Sequence, residues 1–352
     1  MKAAVWYKKR DIRIVDIAEP EVPKKGEVKI QVEWCGICGS DLHEYIAGPI
    51  FIPVDAPHPL TGKIAPITLG HEFSGTVIEV GEGVKNVKIG ERVAPDPAQV
   101  CWECYWCKRM EYNVCEKFSC IGLSRNGGFA NFVNVPAYGI HKIPDTMTFE
   151  QAALVEPIAV GMHAVRRAPV MEGNNVVVVG AGPIGIATLQ CARVAGASQV
   201  IVLEIAKGRK EFAEKFGATT VIDPSKCDAV KEVFKLTDGI GADVTFECVG
   251  SQKTLILAVQ TARRRGIAVI VGVFERPSEF MLSDVVSTER EIKGSYAYNG
   301  EFAPVIKMIN DGRLDANTMI TKKIKLDDIV EKGFKELINN KDENIKIIVS
   351  PK

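Results

Sequence analysis

Four thiols spaced Cys101-x2-Cys104-x2-Cys107-x7-Cys115 are the most explicit chemical signal in the chain. Thiolates bind zinc tightly, and four at this spacing close a tetrahedral site with no open position, the pattern of a structural metal. A second set is more widely spaced: Cys35-Gly36-Ile37-Cys38, then His71 and Glu72 within Leu69-Gly70-His71-Glu72-Phe73. Cys38, His71 and a carboxylate offer a soft sulfur, an imidazole and an oxygen. That donor set suits a zinc with one position left for water or substrate. Taken alone, Cys35 and Cys38 also fit a redox pair, and a single His also fits a satisfied core residue.

A third feature could hold phosphate. The run Val176-Val177-Val178-Val179 has no polar break, as expected of a strand buried on both faces, and it empties into Gly180-Ala181-Gly182-Pro183-Ile184-Gly185. Gly180 permits a tight turn, Gly182 lets backbone amides approach a pyrophosphate, and Gly185 lets the following helix, 184–195, pack against the strand. The helix N-terminus then faces the phosphate charge. After a turn at Gly196 the chain runs Gln199-Val200-Ile201-Val202-Leu203 and stops on Glu204. An acid about 20 residues past the glycines, at the end of the second strand, accepts the ribose hydroxyls and repels a 2′-phosphate, which favours NAD over NADP. The alternative role for Glu204 is to cap the next helix, 208–216, whose Lys207 and Arg209 stand at its start.

These groups need elements to hold them. Before the Gly-rich turn, stretches 3–6, 12–15 and 28–32 read as short, mostly antiparallel strands separated by Pro and Lys-Gly punctuation. Phe149 to Arg167 carries helical apolar spacing and would be the hinge into a second domain. Beyond it, strands at 176–179, 199–203, 220–223, 243–248 and 267–272 alternate with helix patterns at 228–236 and 252–265. The expectation is an α/β chain: a Rossmann-type doubly wound parallel sheet over 153–295, preceded by a β-rich domain over 1–152. Val249 and Val271 end strands at the carboxyl edge, where a nicotinamide half would lie. Cys120, Cys191, Cys227 and Cys248 lack metal-like spacing and are expected to be buried small hydrophobes.

At 352 residues, two domains with separate cores are expected. Lys plus Arg and Asp plus Glu number 44 each, without a dense basic cluster, so neither nucleic acid nor an anionic membrane is an expected partner. The apolar runs are short of a bilayer span and the N-terminus lacks a signal-peptide core, so a soluble cytoplasmic protein is expected. In a reducing compartment, clustered thiols hold metal more often than they form disulfides.

Taken in order, Cys-Gly-Ile-Cys-Gly-Ser-Asp-Leu-His from Cys35, Gly70-His71-Glu72, the four-cysteine lobe, Glu156-Pro157 and the Gly-rich turn resemble the zinc-dependent medium-chain alcohol and polyol dehydrogenases over essentially the whole length. The resemblance implies a discontinuous GroES-like catalytic domain over 1–152 and 296–352, NAD, and two zincs per subunit. Cys38 and His71 would be ligands of a catalytic zinc, with Glu72 and Glu156 competing for the remaining protein position. Asp41 would orient the ligand imidazole. Ser40 and His43 resemble a proton relay to solvent. The Pro-rich segment 43–70 resembles the 2,3-butanediol dehydrogenase branch; its other reading is a spacer or subunit-contact loop. Trp102 replaces the Gly common in the lobe of relatives, and Asp96-Pro97 replaces Glu-Pro.

The chemistry implied is hydride transfer between a small secondary alcohol and NAD. An alcohol is a weak acid, and zinc, which lowers the pKa of bound water from about 15.7 to roughly 7, would ease loss of its proton. Sorbitol-type polyol oxidation and, further off, threonine oxidation are alternatives. A non-catalytic zinc and NAD binding regulator is the reading from a different class. By analogy, a homodimer or homotetramer is expected.

Overall fold

Val28, Ile30 and Val32 alternate along the strand Glu27–Gly36 and are fully buried, the period of two that a β-strand requires to present one face to a core. In the computed structural model, which describes residues 1–352, this strand pairs antiparallel with Glu72–Val80, Phe132–Pro136 and Lys346–Ser350. It thereby organises a seven-stranded sheet. The last strand pairs parallel with Ile320–Lys325, and the helical residues from Leu326 to Asn339 make the crossover that a parallel pair needs. A three-stranded sheet of Asp11–Asp16, Lys2–Lys8 and Ile67–Thr68 completes the first unit, with Trp6, Ile30, Leu69, Phe73 and Phe129 among its buried side chains.

The first unit comprises Met1–Glu156, Phe302–Gly312 and Ala316–Lys352; the second comprises Pro157–Glu301 and Arg313–Asp315. The sequence expectation sets these limits at 152/153 and 295/296. Within the second unit six strands are all parallel: Asn175–Val179, Gln199–Leu203, Thr220–Ile222, Ala242–Glu247, Ala262–Ile270 and Glu291–Gly294. They lie in the spatial order third, second, first, fourth, fifth, sixth. That order reverses direction between the first and fourth strands, the switch point of a dinucleotide-binding sheet. Val176 to Val179 are essentially inaccessible to solvent, as a strand covered on both faces must be. No helix is long and apolar enough to cross a membrane.

Three expectations need correction. The helical stretch 149–167 is two helices, Phe149–Ala153 and Val155–Arg167. Pro157 has no N–H to return to the carbonyl of Ala153, so one helix cannot run through, whereas in the first turn of a new helix that N–H would be unpaired anyway. The helix expected over 252–265 ends at Thr261, and Ala262 already begins a strand. Arg263 is drawn into the sheet by Asp243 on the adjacent strand, at 2.8 Å, a partner that helical periodicity does not reveal. Of the four cysteines expected to be buried, Cys191 is, Cys120 and Cys248 are partly so, and Cys227 is exposed in the turn after Asp223.

Candidate active site and metal centres

The helix Gly39–Ala47 starts from Cys38, whose extended backbone makes it the N-cap. Asp41 in the first turn is fully buried and its Oδ2 accepts the Cys38 N–H at 3.0 Å, which fixes where the thiol leaves the chain. Ser40 Oγ lies 3.1 Å from His71 Nε2. His43, half-buried, follows Ser40 by three residues and so shares its helix face. Glu44, which the sequence analysis passed over, is fully buried and accepts the N–H groups of Ile50 and Ile52, each at 3.1 Å, and of Phe51. The start of the Pro-rich loop is thus folded onto the same helix.

His71 sits at the centre of this charge. Burial disfavours its protonated form, but Asp41, Cys38 and Glu156 outweigh that and hold its pKa well above the ordinary value. Asp41 is itself pushed up to about 6, by burial against the pull of His71 and the Cys38 N–H. His71 Nδ1 and Asp41 Oδ1 are 3.6 Å apart, both buried and without a hydrogen-bond partner. Anionic groups gathered on a buried imidazole favour a cation there. Cys38, His71 and Glu156 therefore fit a divalent metal, which would take the place of the extra proton.

Glu72 behaves differently. Its two carboxylate oxygens meet Lys346 Nζ at 2.7 and 2.8 Å, and both side chains are essentially inaccessible to solvent. Lys346 also donates to the carbonyl of Ile37 at 3.1 Å. Gly36 makes room for this pair, since a Cβ there would lie 2.1 Å from Glu72 Oε2. No three of Cys38, His71, Glu72 and Glu156 have their donor atoms within 4.8 Å of one another, as the four lobe sulfurs do. Lys346 escaped the sequence analysis; its one signal is a lone Lys opening an otherwise apolar terminal strand.

Sulfur atoms of Cys101, Cys104, Cys107 and Cys115 lie within 4.8 Å of one another. The contacts of 3.5 and 3.9 Å that Cys101 makes with Cys115 and Cys107 are far beyond a disulfide bond. Backbone N–H groups of Cys101, Cys104 and Lys117 point at these sulfurs, and the N–H groups of Cys107 and Glu116 pull the Cys104 thiol down to about 6, while burial pushes the Cys107 thiol up to about 12 and raises that of Cys115. Such donors stabilise thiolate, the form that binds metal. The cluster fits a structural zinc. Trp102 has φ +57°, a left-handed conformation that favours glycine and costs a non-glycine residue on the order of 1 kcal/mol. Its ring packs edge-on against Tyr138 at 5.3 Å. Asp96, the other departure, accepts the Ala98 N–H at 2.8 Å.

In the second unit Gly180 has φ +95°, and a Cβ on Gly185 would lie 1.9 Å from the Gly180 carbonyl oxygen. Gly182 caps the helix Pro183–Val194, with Pro183 in its first turn and Ile184 following. A Cβ on Gly182 would meet only Arg209 Nη1, at 3.7 Å. Packing does not demand glycine there, whereas a close-lying phosphate would. Glu204 is buried; its Oε2 accepts the Ala181 N–H at 2.8 Å and its Oε1 those of Ile205 and Ala206, at 2.8 and 2.9 Å. It thus ties the Gly-rich turn to the start of the helix Lys207–Lys215, and of its roughly four lone-pair sites one, on Oε2, is left to meet a hydroxyl donor.

Comparison with known proteins bears on both units. One family model, described as alcohol dehydrogenase GroES-like domain, matches residues 24–145, and another, zinc-binding dehydrogenase, matches 183–311. The chain is 44% identical to a (R,R)-butanediol dehydrogenase of Bacillus subtilis, covering 100% of each sequence. It is 32% identical to a sorbitol dehydrogenase of the same species, over 100% of this chain and 97% of that one. It is similar to the crystal structure of the 2R,3R-butanediol dehydrogenase of B. subtilis, with a TM-score of 0.93, 44% identity, and coverage of 100% of this chain and 99% of that one.

Three substitutions test these groups. Cys104→Ser should lower bound zinc by one equivalent per chain, read by atomic emission; unchanged zinc would refute a metal in the lobe. Lys346→Met strands the Glu72 carboxylate in the core, and urea unfolding should show a loss of about 3–5 kcal/mol. Adding Glu72→Gln should recover part of that loss, and strict additivity of the two changes would show that the pair is not coupled.

Proposed function

The chain belongs to the zinc-binding dehydrogenases that carry an alcohol dehydrogenase GroES-like domain, and we propose that it transfers a hydride between NAD and a small secondary alcohol, interconverting (R,R)-2,3-butanediol and acetoin. The observation that carries the reading is the buried His71, whose ring meets Ser40 Oγ on one side and the Asp41 carboxylate on the other, with Cys38 and Glu156 near enough to favour a cation on it. A core histidine with a purely structural role has no need of so many acidic and thiol groups around it. Greater identity to the butanediol enzyme than to the sorbitol enzyme supports the choice of substrate.

Zinc held here supplies a Lewis acid that eases deprotonation of an alcohol or polarises a ketone, and NAD supplies the hydride acceptor. The residues do the rest. Cys38, His71 and Glu156 form the ligand set, with Glu72 held on Lys346. Asp41 orients the His71 ring. Ser40 takes the proton from the substrate hydroxyl, and His43, on the same helix face, passes it toward solvent. Gly180, Gly182, Pro183, Ile184 and Gly185 shape the pyrophosphate turn. Glu204 selects the ribose hydroxyls, Arg209 stands beside the phosphates, and Val249 and Val271 line the nicotinamide half. Cys101, Cys104, Cys107 and Cys115 hold the structural zinc.

The enzyme works in this reading as a cytoplasmic homodimer or homotetramer. Support for assembly comes from the outermost strand Glu291–Gly294, which has no partner on its far side and exposes Ile292.

Initial rates with zinc-loaded protein and NAD on (2R,3R)-, meso- and (2S,3S)-butanediol, beside sorbitol and threonine, test the proposal. The (2R,3R) isomer should be preferred; faster sorbitol oxidation would move the chain to the polyol branch. Ser40→Ala should lower kcat by about 10²–10⁴-fold if the hydroxyl moves the proton, with zinc content unchanged. A kcat within a factor of about three would remove Ser40 from that role.

A further inference from the structure

One buried acid at the carboxyl edge of the parallel sheet is unused by the chemistry above. Glu247 ends the strand Ala242–Glu247 opposite Val179, the last residue before the Gly-rich turn, and is fully buried. Its Oε1 accepts the N–H groups of Val249 at 2.9 Å and Gly250 at 2.8 Å. Its main-chain oxygen accepts those of Val271 at 2.9 Å and Gly272 at 3.0 Å. One residue thus gathers the N–H groups of two separate turns.

Glycines let these turns close on each other. A Cβ on Gly272 would lie 2.3 Å from the Gly250 nitrogen and 2.5 Å from Glu247 Oε2, and one on Gly250 would lie 2.2 Å from the Val273 carbonyl oxygen. Val249 in turn reaches the Gly-rich turn, since a Cβ on Gly180 would lie 2.4 Å from its Cγ2. Glu247 Oε2 is buried with no hydrogen-bond partner. An unpaired buried acceptor is destabilising, so stability alone does not explain an acid here. Its position beside the switch point of the sheet, where such folds bind ligands, points to function.

We propose that Glu247 is a positioning residue that fixes the turns Val249–Gly250 and Val271–Gly272 as one wall for the nicotinamide half of NAD, independently of the adenosine half bound near Glu204. This rests on the NAD reading above. Glu247 touches neither reacting carbon nor metal; it acts through the backbone of the two turns. An amide at this position keeps an acceptor for Val249 and Gly250, whereas a methyl group keeps none.

The test compares NADH with ADP-ribose, which lacks the nicotinamide, as ligands of the full-length zinc-loaded protein by calorimetry. In Glu247→Ala, NADH should bind about tenfold more weakly or worse, since acceptors for two N–H groups are lost, while ADP-ribose affinity holds within about twofold. Glu247→Gln should fall between that variant and wild type, and it carries the test if the alanine variant does not fold. In steady-state rates the KM for NAD should rise more than kcat falls. Equal weakening of both ligands, or unchanged NADH affinity, would overturn the inference. A wild type that binds ADP-ribose and NADH with unaltered variants sinks this inference alone; a wild type that binds neither sinks the NAD reading.

Discussion

Ionisable groups buried together must have their charges compensated, and in the first unit that compensation is Lys346. Asp41, Glu72, His71 and Glu156 all lie in the interior, and without a buried cation the carboxylates would repel one another in a medium that screens poorly. Lys346 meets Glu72 with both oxygens at bonding distance. It arrives on the last strand of the chain, and that strand pairs with Glu27–Gly36, the strand leading to Cys38. The return of the chain to the first unit is therefore part of building the site. A chain cut after the parallel sheet would leave Glu72 unpaired.

A second device recurs in both units: a carboxylate collects N–H groups that a turn leaves without partners. Asp41 takes the Cys38 amide, Glu44 the start of the Pro-rich loop, Glu204 the Gly-rich turn, and Glu247 the turn at Val249. Asp41 lies in the first turn of its helix and Glu44 near the middle of the same helix, whereas Glu204 follows a strand and Glu247 ends one, and each ties a turn or loop to its element. Charge-assisted bonds of this kind fix loop geometry more sharply than packing does. Binding groups on such loops are thus presented by polar anchoring, while the Val and Ile strands behind them supply the stability.

Sequence alone was informative where the chemistry is local. The four-cysteine spacing and the strand, glycine turn, helix, strand and acid running from Val176 to Glu204 each lie within a short span, and the elements form where the pattern puts them. Non-local contacts were hidden. Nothing in the order of residues ties Lys346 to Glu72, and a lone Lys on an apolar strand resembles an edge charge. The strand beginning at Ala262 was obscured because Arg263 to Arg265 continue a helix-compatible composition, and the contacts that hold it in the sheet, Ala242 opposite Ala262, Asp243 on Arg263 and Arg290 on their carbonyls, are all non-local. Pro157 was visible, but its effect, a break after Ala153, depends on which turn of which helix it occupies. Cys227 was misjudged because small apolar character does not ensure burial in a loop.

The central claim is that the buried Glu72–Lys346 pair is a fixed support and that Cys38, His71 and Glu156 are the groups left to take a metal. The most direct measurement is a crystal structure of the zinc- and NAD-loaded protein. The account predicts zinc on Cys38 Sγ, a His71 ring nitrogen and a Glu156 oxygen, with Glu72 still on Lys346. Zinc bound by Glu72 with the Lys346 contact broken would contradict it.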